Sequence, residues 1–304
     1  MPSASSFLIR GVWCAMLTPM ARDGTLDHAR FASHAQWLLA HGVAGLAPFG
    51  TTGEGQSFAA DERRAGLEAL IAGGVAAQRI LPGTGGASLP ETVALTRHAV
   101  EAGCIGCLVL PPFFWKEPSD DGLFAWYAQL IERVADPRLR LFLYHLPQIS
   151  HVPLSVDLVA RLAAAFPDVI AGVKDSAGVW AHTAALCARL PQLAIVIGHE
   201  PHLPQLMRAG GAGTICGVAN VLPALVARLV APAATEADVA RVRAFIEILF
   251  RQPFLPAFKA MIAQRQRDPA WCHVRAPLLP LPGATQAALA AALADAGFDL
   301  ARGE

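Results

Sequence analysis

Amine and phenol chemistry has few carriers in this 304-residue chain, which holds three lysines (Lys116, Lys174, Lys259) and two tyrosines (Tyr127, Tyr144). Lys174 closes the apolar run Val169-Ile-Ala-Gly-Val-Lys174. With side chains alternating along a strand, it is expected to share a face with Ile170 and Gly172. An amine held there loses water, which disfavours its charged form. Only the neutral amine adds to a carbonyl, so such a lysine suits Schiff-base chemistry. The same position also suits a lysine that pairs with Asp175 or reaches solvent at a strand end. Lys116 lies in a polar loop beside Glu117, and Lys259 in a late helix expected to be far from any strand end. Tyr144 ends the apolar run before that of Lys174. If the two runs are adjacent strands, its phenol can relay protons to a substrate held by the lysine. Tyr127 falls on the apolar face of a helical segment and reads as core.

Other polar clusters are more equivocal. Gly50-Thr-Thr-Gly-Glu-Gly55 follows an apolar run, and its free N–H groups and two hydroxyls suit a small anion such as a carboxylate. It is equally readable as a structural turn, and it lacks the G-K-[ST] of a phosphate loop. His199-Glu-Pro-His202 lacks the i, i+4 histidine spacing of a zinc helix, so no metal is assigned; Pro201 fits a helix start. His199 and Glu200 nonetheless follow a strand-like run and are placed to face a substrate, whereas His145 should point away from the face of Tyr144. Cys104 and Cys107 form a C-x-x-C without a second pair at zinc spacing. The six cysteines read as reduced core residues of a cytoplasmic protein.

Eight short apolar runs occupy 11–16, 45–49, 79–83, 106–110, 139–144, 169–174, 194–198 and 213–217. Amphipathic segments lie between them; in 123–134, Leu123, Tyr127, Leu130, Ile131 and Val134 recur at helical spacing. Ser88 and Glu91 suggest a capping box, and Gly42, Gly103 and Gly210 sit where helices should end. Apolar strands separated by helices imply a parallel sheet covered on both faces. Eight such units predict an α/β fold, a closed (β/α)8 TIM barrel spanning 1–230. Helices at 236–250, 255–265 and 284–296 form a C-terminal extension, 231–304, packed on it. In a barrel the reacting groups gather at the C-terminal strand ends, where Lys174, Tyr144 and the 50–55 loop all fall.

Composition removes whole classes of function. Twenty-four basic and 24 acidic residues give zero formal charge, unlike a nucleic-acid binder that must neutralise phosphates. Apolar residues reach 54%, yet prolines cut every long apolar run, so no membrane span is expected. Arg10 follows the Phe7-Leu8-Ile9 run instead of preceding it, against the pattern of a signal peptide.

Taken together, Gly50-Thr-Thr-Gly-Glu54, Leu143-Tyr-His-Leu-Pro147 and Gly172-Val-Lys-Asp-Ser176 resemble the dihydrodipicolinate synthase/N-acetylneuraminate lyase family. Family-like stretches also occur at Leu17-Thr-Pro-Met20, Gly83-Thr-Gly-Gly86 and Gly217-Val-Ala-Asn220, so the resemblance spans nearly the whole chain. It implies a (β/α)8 barrel, a homo-oligomer (a tetramer or dimer), and a lysine Schiff base working without metal or organic cofactor. It also implies catalytic roles: Lys174 as the imine-forming lysine, Tyr144 as proton donor and acceptor, and Thr51 as the hydroxyl joining it to a relay. Thr52 and the loop backbone, Gly53 included, would hold the carboxylate of a 2-oxo acid, with the backbone of Ile215 against it. The implied activity is that of a lyase, a class I aldolase or dehydratase acting on pyruvate or a related small 2-oxo acid.

Two positions depart from the resemblance. Lysine-biosynthetic synthases of that family carry an arginine five residues after the tyrosine; here it is Ile149, which cannot make a bidentate carboxylate contact. They also carry a relay tyrosine in the loop after the fourth strand, where this chain has Phe113 and Phe114. Two other readings stand beside the leading one: a true 4-hydroxy-tetrahydrodipicolinate synthase, and a non-catalytic 2-oxo acid binding protein on the same scaffold.

Overall fold

The computed structural model describes residues 8–301; Phe7 of the N-terminal run and the ends of the two expected spans lie outside them. Seven parallel strands are β1 (Gly11–Cys14), β2 (Gly45–Leu46), β3 (Cys107–Val109), β4 (Leu141–His145), β5 (Ile170–Asp175), β6 (Ala194–Ile197) and β7 (Gly213–Cys216). They are ordered β2-β1-β7-β6-β5-β4-β3. The eighth expected run, 79–83, closes the ring without forming a regular strand. Ile80 bridges Leu46 and Gly83 bridges Leu108, both in parallel. Pro82 has no N–H to continue the ladder, and its carbonyl accepts from the N–H of Leu108 at 2.9 Å. The chain is a (β/α)8 barrel.

Its apolar residues form two cores. One fills the barrel interior with Trp13, Ala15, Leu81, Leu108, Phe142 and Val196 among others; the second lies between strands and helices. Glycine is required where a large side chain crosses the interior. A Cβ at Gly172 would lie 2.4 Å from the Phe142 ring, and one at Gly45 would lie 2.4 Å from the Trp13 indole.

Gly42, Gly103 and Gly210 close helices at positive φ as expected. The capping box does not form: Ser88 is the N-cap of Leu89–Glu101, but its side chain makes no capping bond. Helices Glu236–Leu249, Phe254–Gln266 and Gly283–Asp295 follow the barrel units. They are tied back by Arg265 Nη1 to the carbonyl of Asn220 (3.0 Å) and by Arg275 to Gly24, Ser57 and Glu62. Among the described residues no helix is long and apolar enough to cross a membrane.

Candidate active site

Strands β4 and β5 pair with Tyr144 opposite Lys174 and His145 opposite Asp175. Tyr144 lies in the interior core, and the Lys174 Nζ sits 4.2 Å from the centre of its ring. Lys174 is 3% exposed and lines a cavity of about 430 Å³ at this end of the barrel. It neither reaches bulk solvent nor pairs with Asp175. That carboxylate instead accepts from His182 Nδ1 (2.9 Å), Thr183 Oγ1 (2.7 Å) and the N–H of Ala177 (3.0 Å). These bonds hold it below the ordinary carboxylate range although burial acts in the opposite direction. The expected common face for Ile170 and Lys174 is not found. A register shift pairs Leu141 with Ile170 but Phe142 with Gly172, so Ala171 is the extra residue and Ile170 joins the outer core.

The 50–55 loop reaches the same cavity. Thr51 Oγ1 stands 3.3 Å from Tyr144 OH, and Thr51 and Thr52 both line the cavity. Gly53 does not line it; it is a site of close backbone approach. A Cβ there would lie 2.7 Å from the Met16 carbonyl, and the Gly53 carbonyl accepts from Thr18 Oγ1 at 2.7 Å. Glu54 takes a left-handed backbone (φ +52) and turns its carboxylate away into the protein. There it meets Lys259 Nζ at 2.5 Å, both side chains 0% exposed. Lys259 is therefore not remote from the strand ends. Its helix, Phe254–Gln266, folds back onto the barrel and clamps the loop, a long-range packing event that spacing along the sequence does not reveal.

Ile215, fully buried on β7, also lines the cavity, as do His199 and Glu200 after β6. Burial pushes the Glu200 carboxyl up and the His199 imidazole down to about 4, leaving His199 uncharged at neutral pH. Ser176 Oγ and His199 Nδ1 are buried without a hydrogen-bond partner. His145 points outward as expected, stacked 4.1 Å from His182 and accepting from the N–H of Leu154 (3.0 Å). With Asp175 these histidines form a cluster of potential metal donors, but both nitrogens of His182 are spent on Asp175 and the Leu154 carbonyl. It is a hydrogen-bond network behind the strand ends. Tyr127 is core, its OH 3.3 Å from the Val109 carbonyl.

Sequence reasoning missed one wall of the cavity, formed by Ile246, Leu249, Phe250, Phe254 and Phe258. A partial signal existed: Phe254 and Phe258, four residues apart, share one side of the helix Phe254–Gln266, whereas Phe250 lies in the turn before it.

A buried lysine, a register-paired tyrosine and a hydroxyl within reach are gathered in one cavity at the C-terminal strand ends, the end at which barrel enzymes carry their sites. Residues 8–296 match the model of the dihydrodipicolinate synthetase family. The chain is 35% identical to an uncharacterized DapA-like lyase of Chloroflexus aurantiacus, covering 93% of this chain and 95% of that one. It is 32% identical to a 4-hydroxy-tetrahydrodipicolinate synthase of Acidiphilium cryptum, covering 96% and 99%. Among solved structures it resembles dihydrodipicolinate synthase from Agrobacterium tumefaciens, with TM-score 0.90, 36% identity and coverage of 95% and 99%. YagE, a prophage protein of the dihydrodipicolinic acid synthase family from E. coli K12 solved with pyruvate, gives TM-score 0.85, 28% identity and coverage of 94% and 98%. The chain belongs to the dihydrodipicolinate synthetase family and is a lyase of it.

Proposed function

We propose that the protein is a Schiff-base lyase, a class I aldolase or dehydratase, acting on pyruvate or a related small 2-oxo acid. The observation that carries this reading is the placement of Lys174 against Tyr144 in one buried cavity, with Thr51 beside the phenol. In this mechanism neutral Lys174 Nζ attacks the ketone carbon. Tyr144 supplies the proton with which the carbonyl oxygen leaves as water, and the iminium then withdraws electrons from C3. Transfer of a C3 proton to the Tyr144 phenolate, or cleavage of the C3–C4 bond with the C4 hydroxyl proton passing to that phenolate, yields an enamine that is reprotonated by Tyr144 or adds to an aldehyde. Thr51 links the phenol to the proton relay. Thr52 and the loop backbone hold the substrate carboxylate, and the backbone of Ile215 lies against the bound 2-oxo acid.

Ile149, at the cavity lining, offers no cation for a second carboxylate. That favours a substrate other than the dihydrodipicolinate precursor. A cytoplasmic homo-oligomer is part of the same proposal. Incubation with pyruvate and borohydride, followed by mass analysis and peptide mapping, tests it: a reduced adduct on Lys174 is expected. No adduct, or one that persists in Lys174→Ala, would end the Schiff-base reading.

A further inference from the structure

The cavity changes character from floor to mouth. Its floor is the buried group around Lys174, Tyr144 and Ile215. Its mouth is marked by Ile149 and Phe250, which line the cavity while 51% and 64% exposed. Between them stand Ile246, Leu249 and Phe254 from the helices that follow the barrel, with the Phe250 and Phe254 rings 5.9 Å apart. Polar but uncharged side chains also line the cavity: Gln148 Nε2 donates to the Ser176 carbonyl at 2.7 Å, and the Ser176 side chain is a neutral hydroxyl.

Charge is the second observation. Among the described residues Lys174 is the only lysine or arginine lining the cavity, and the proposed imine consumes its amine. His199 stays uncharged at neutral pH because burial holds its imidazole down at about 4. Glu200 carries no positive charge in either protonation state. An acceptor bearing its own carboxylate would lose part of its water beside apolar side chains and meet no free lysine or arginine among the described lining residues; Arg243, whose charge bears on His199, is not among them. An apolar acceptor gains burial against the same side chains.

Resting on the Schiff-base reading, we propose that the carbonyl partner of the 2-oxo acid is an aldehyde carrying an apolar alkyl or aryl group, seated against Phe250, Phe254, Ile246 and Ile149. In the synthetic direction the enamine C3 attacks the aldehyde carbon and a C–C bond forms. The aldehyde oxygen takes the proton of Tyr144 OH and becomes the C4 hydroxyl. Water then hydrolyses the iminium, restoring the ketone and the free amine, so the net product is a 4-hydroxy-2-oxo acid carrying the apolar group. Cleavage is the same sequence reversed.

The test uses the full-length protein with pyruvate and one of four aldehydes: benzaldehyde, butyraldehyde, succinic semialdehyde or glyceraldehyde. Product is quantified by mass spectrometry, with borohydride trapping of pyruvate run in parallel. The expected kcat/KM for benzaldehyde or butyraldehyde exceeds that for succinic semialdehyde and glyceraldehyde by about tenfold or more. Ile149→Arg should shrink that ratio by supplying the missing cation, and Phe250→Ala should raise KM for benzaldehyde. A pyruvate adduct on Lys174 together with a smaller ratio, or with no turnover of the apolar aldehydes, overturns this inference alone. Failure of the adduct itself overturns the Schiff-base reading, and this inference with it.

Discussion

Lys259→Met isolates the ion pair that clamps the 50–55 loop. The native contact is short (2.5 Å), both side chains are 0% exposed, and Lys259 Nζ also donates to the His273 carbonyl at 2.7 Å. At an effective dielectric of about 20 the attraction amounts to about 7 kcal/mol. Desolvating two ions costs several kcal/mol each, so the intact pair contributes little net stability. Removing one partner is different: Glu54 keeps its desolvation cost and loses its counter-charge, and the His273 carbonyl loses its donor. The expected loss is about 3–5 kcal/mol, read from urea unfolding. Because the same loop carries Thr51 and Thr52, kcat/KM should fall as well. Glu54→Gln combined with Lys259→Met removes the stranded charge and should recover about half of the lost stability or more. A single variant within about 1 kcal/mol of the parent, or a double variant no more stable than the single, would refute the reasoning.

Other outcomes follow from the same geometry. Tyr144→Phe keeps the ring under Lys174 but removes the hydroxyl facing Thr51; kcat should drop about 10²–10⁴-fold while borohydride still traps pyruvate on Lys174. Gly172→Ala places a Cβ 2.4 Å from both the Phe142 ring and the Ala194 carbonyl, and should lower unfolding free energy by about 1–3 kcal/mol in a denaturant titration. Burial holds His34 down at about 3 and His145 and His199 down at about 4, so the unfolded state binds more protons between those values and about 6.5. Stability should therefore fall as pH drops through that window, and a urea midpoint level from about pH 6.5 to 4 would contradict it. His182 acts with the opposite sign. Burial lowers its pKa, but Asp175 outweighs this and raises it, so its contribution is complete below about 6.5 and fades as pH rises through the folded value; His182→Gln should remove that loss.

The barrel was legible because strand and helix periods are local. Seven of the eight apolar runs became strands, and the eighth kept its place in the ring despite the donor missing at Pro82. The pairing of Lys174 with Tyr144 was legible for the same reason, since neighbouring runs in a parallel barrel become neighbouring strands. The face of Ile170 was not, because one extra residue at Ala171 reverses the alternation and no composition signal marks it. Lys259 and the phenylalanine wall were not, because the helix that carries Lys259, Phe254 and Phe258, and the turn before it that carries Phe250, lie about two hundred residues beyond the 50–55 loop. Contacts over that separation depend on how helices dock, which periodicity within one element does not encode.

That contrast bears on how such a site can change its substrate. The groups proposed to handle the 2-oxo acid stand on β4, β5, β7 and the 50–55 loop, where strand register and a buried ion pair hold them in place. The side chains proposed to meet the carbonyl partner stand elsewhere: Ile149 just past β4, and Ile246, Phe250 and Phe254 on or between the helices after the barrel. Ile149 and Phe250 are more than half exposed, so replacing either costs little packing. Lys174 and Tyr144 are almost wholly buried against one another, and Glu54 against Lys259, so a change at any of them disturbs a buried partner. A lineage of such barrels can therefore exchange acceptors through its mouth residues while the imine chemistry on the strands stays as it is.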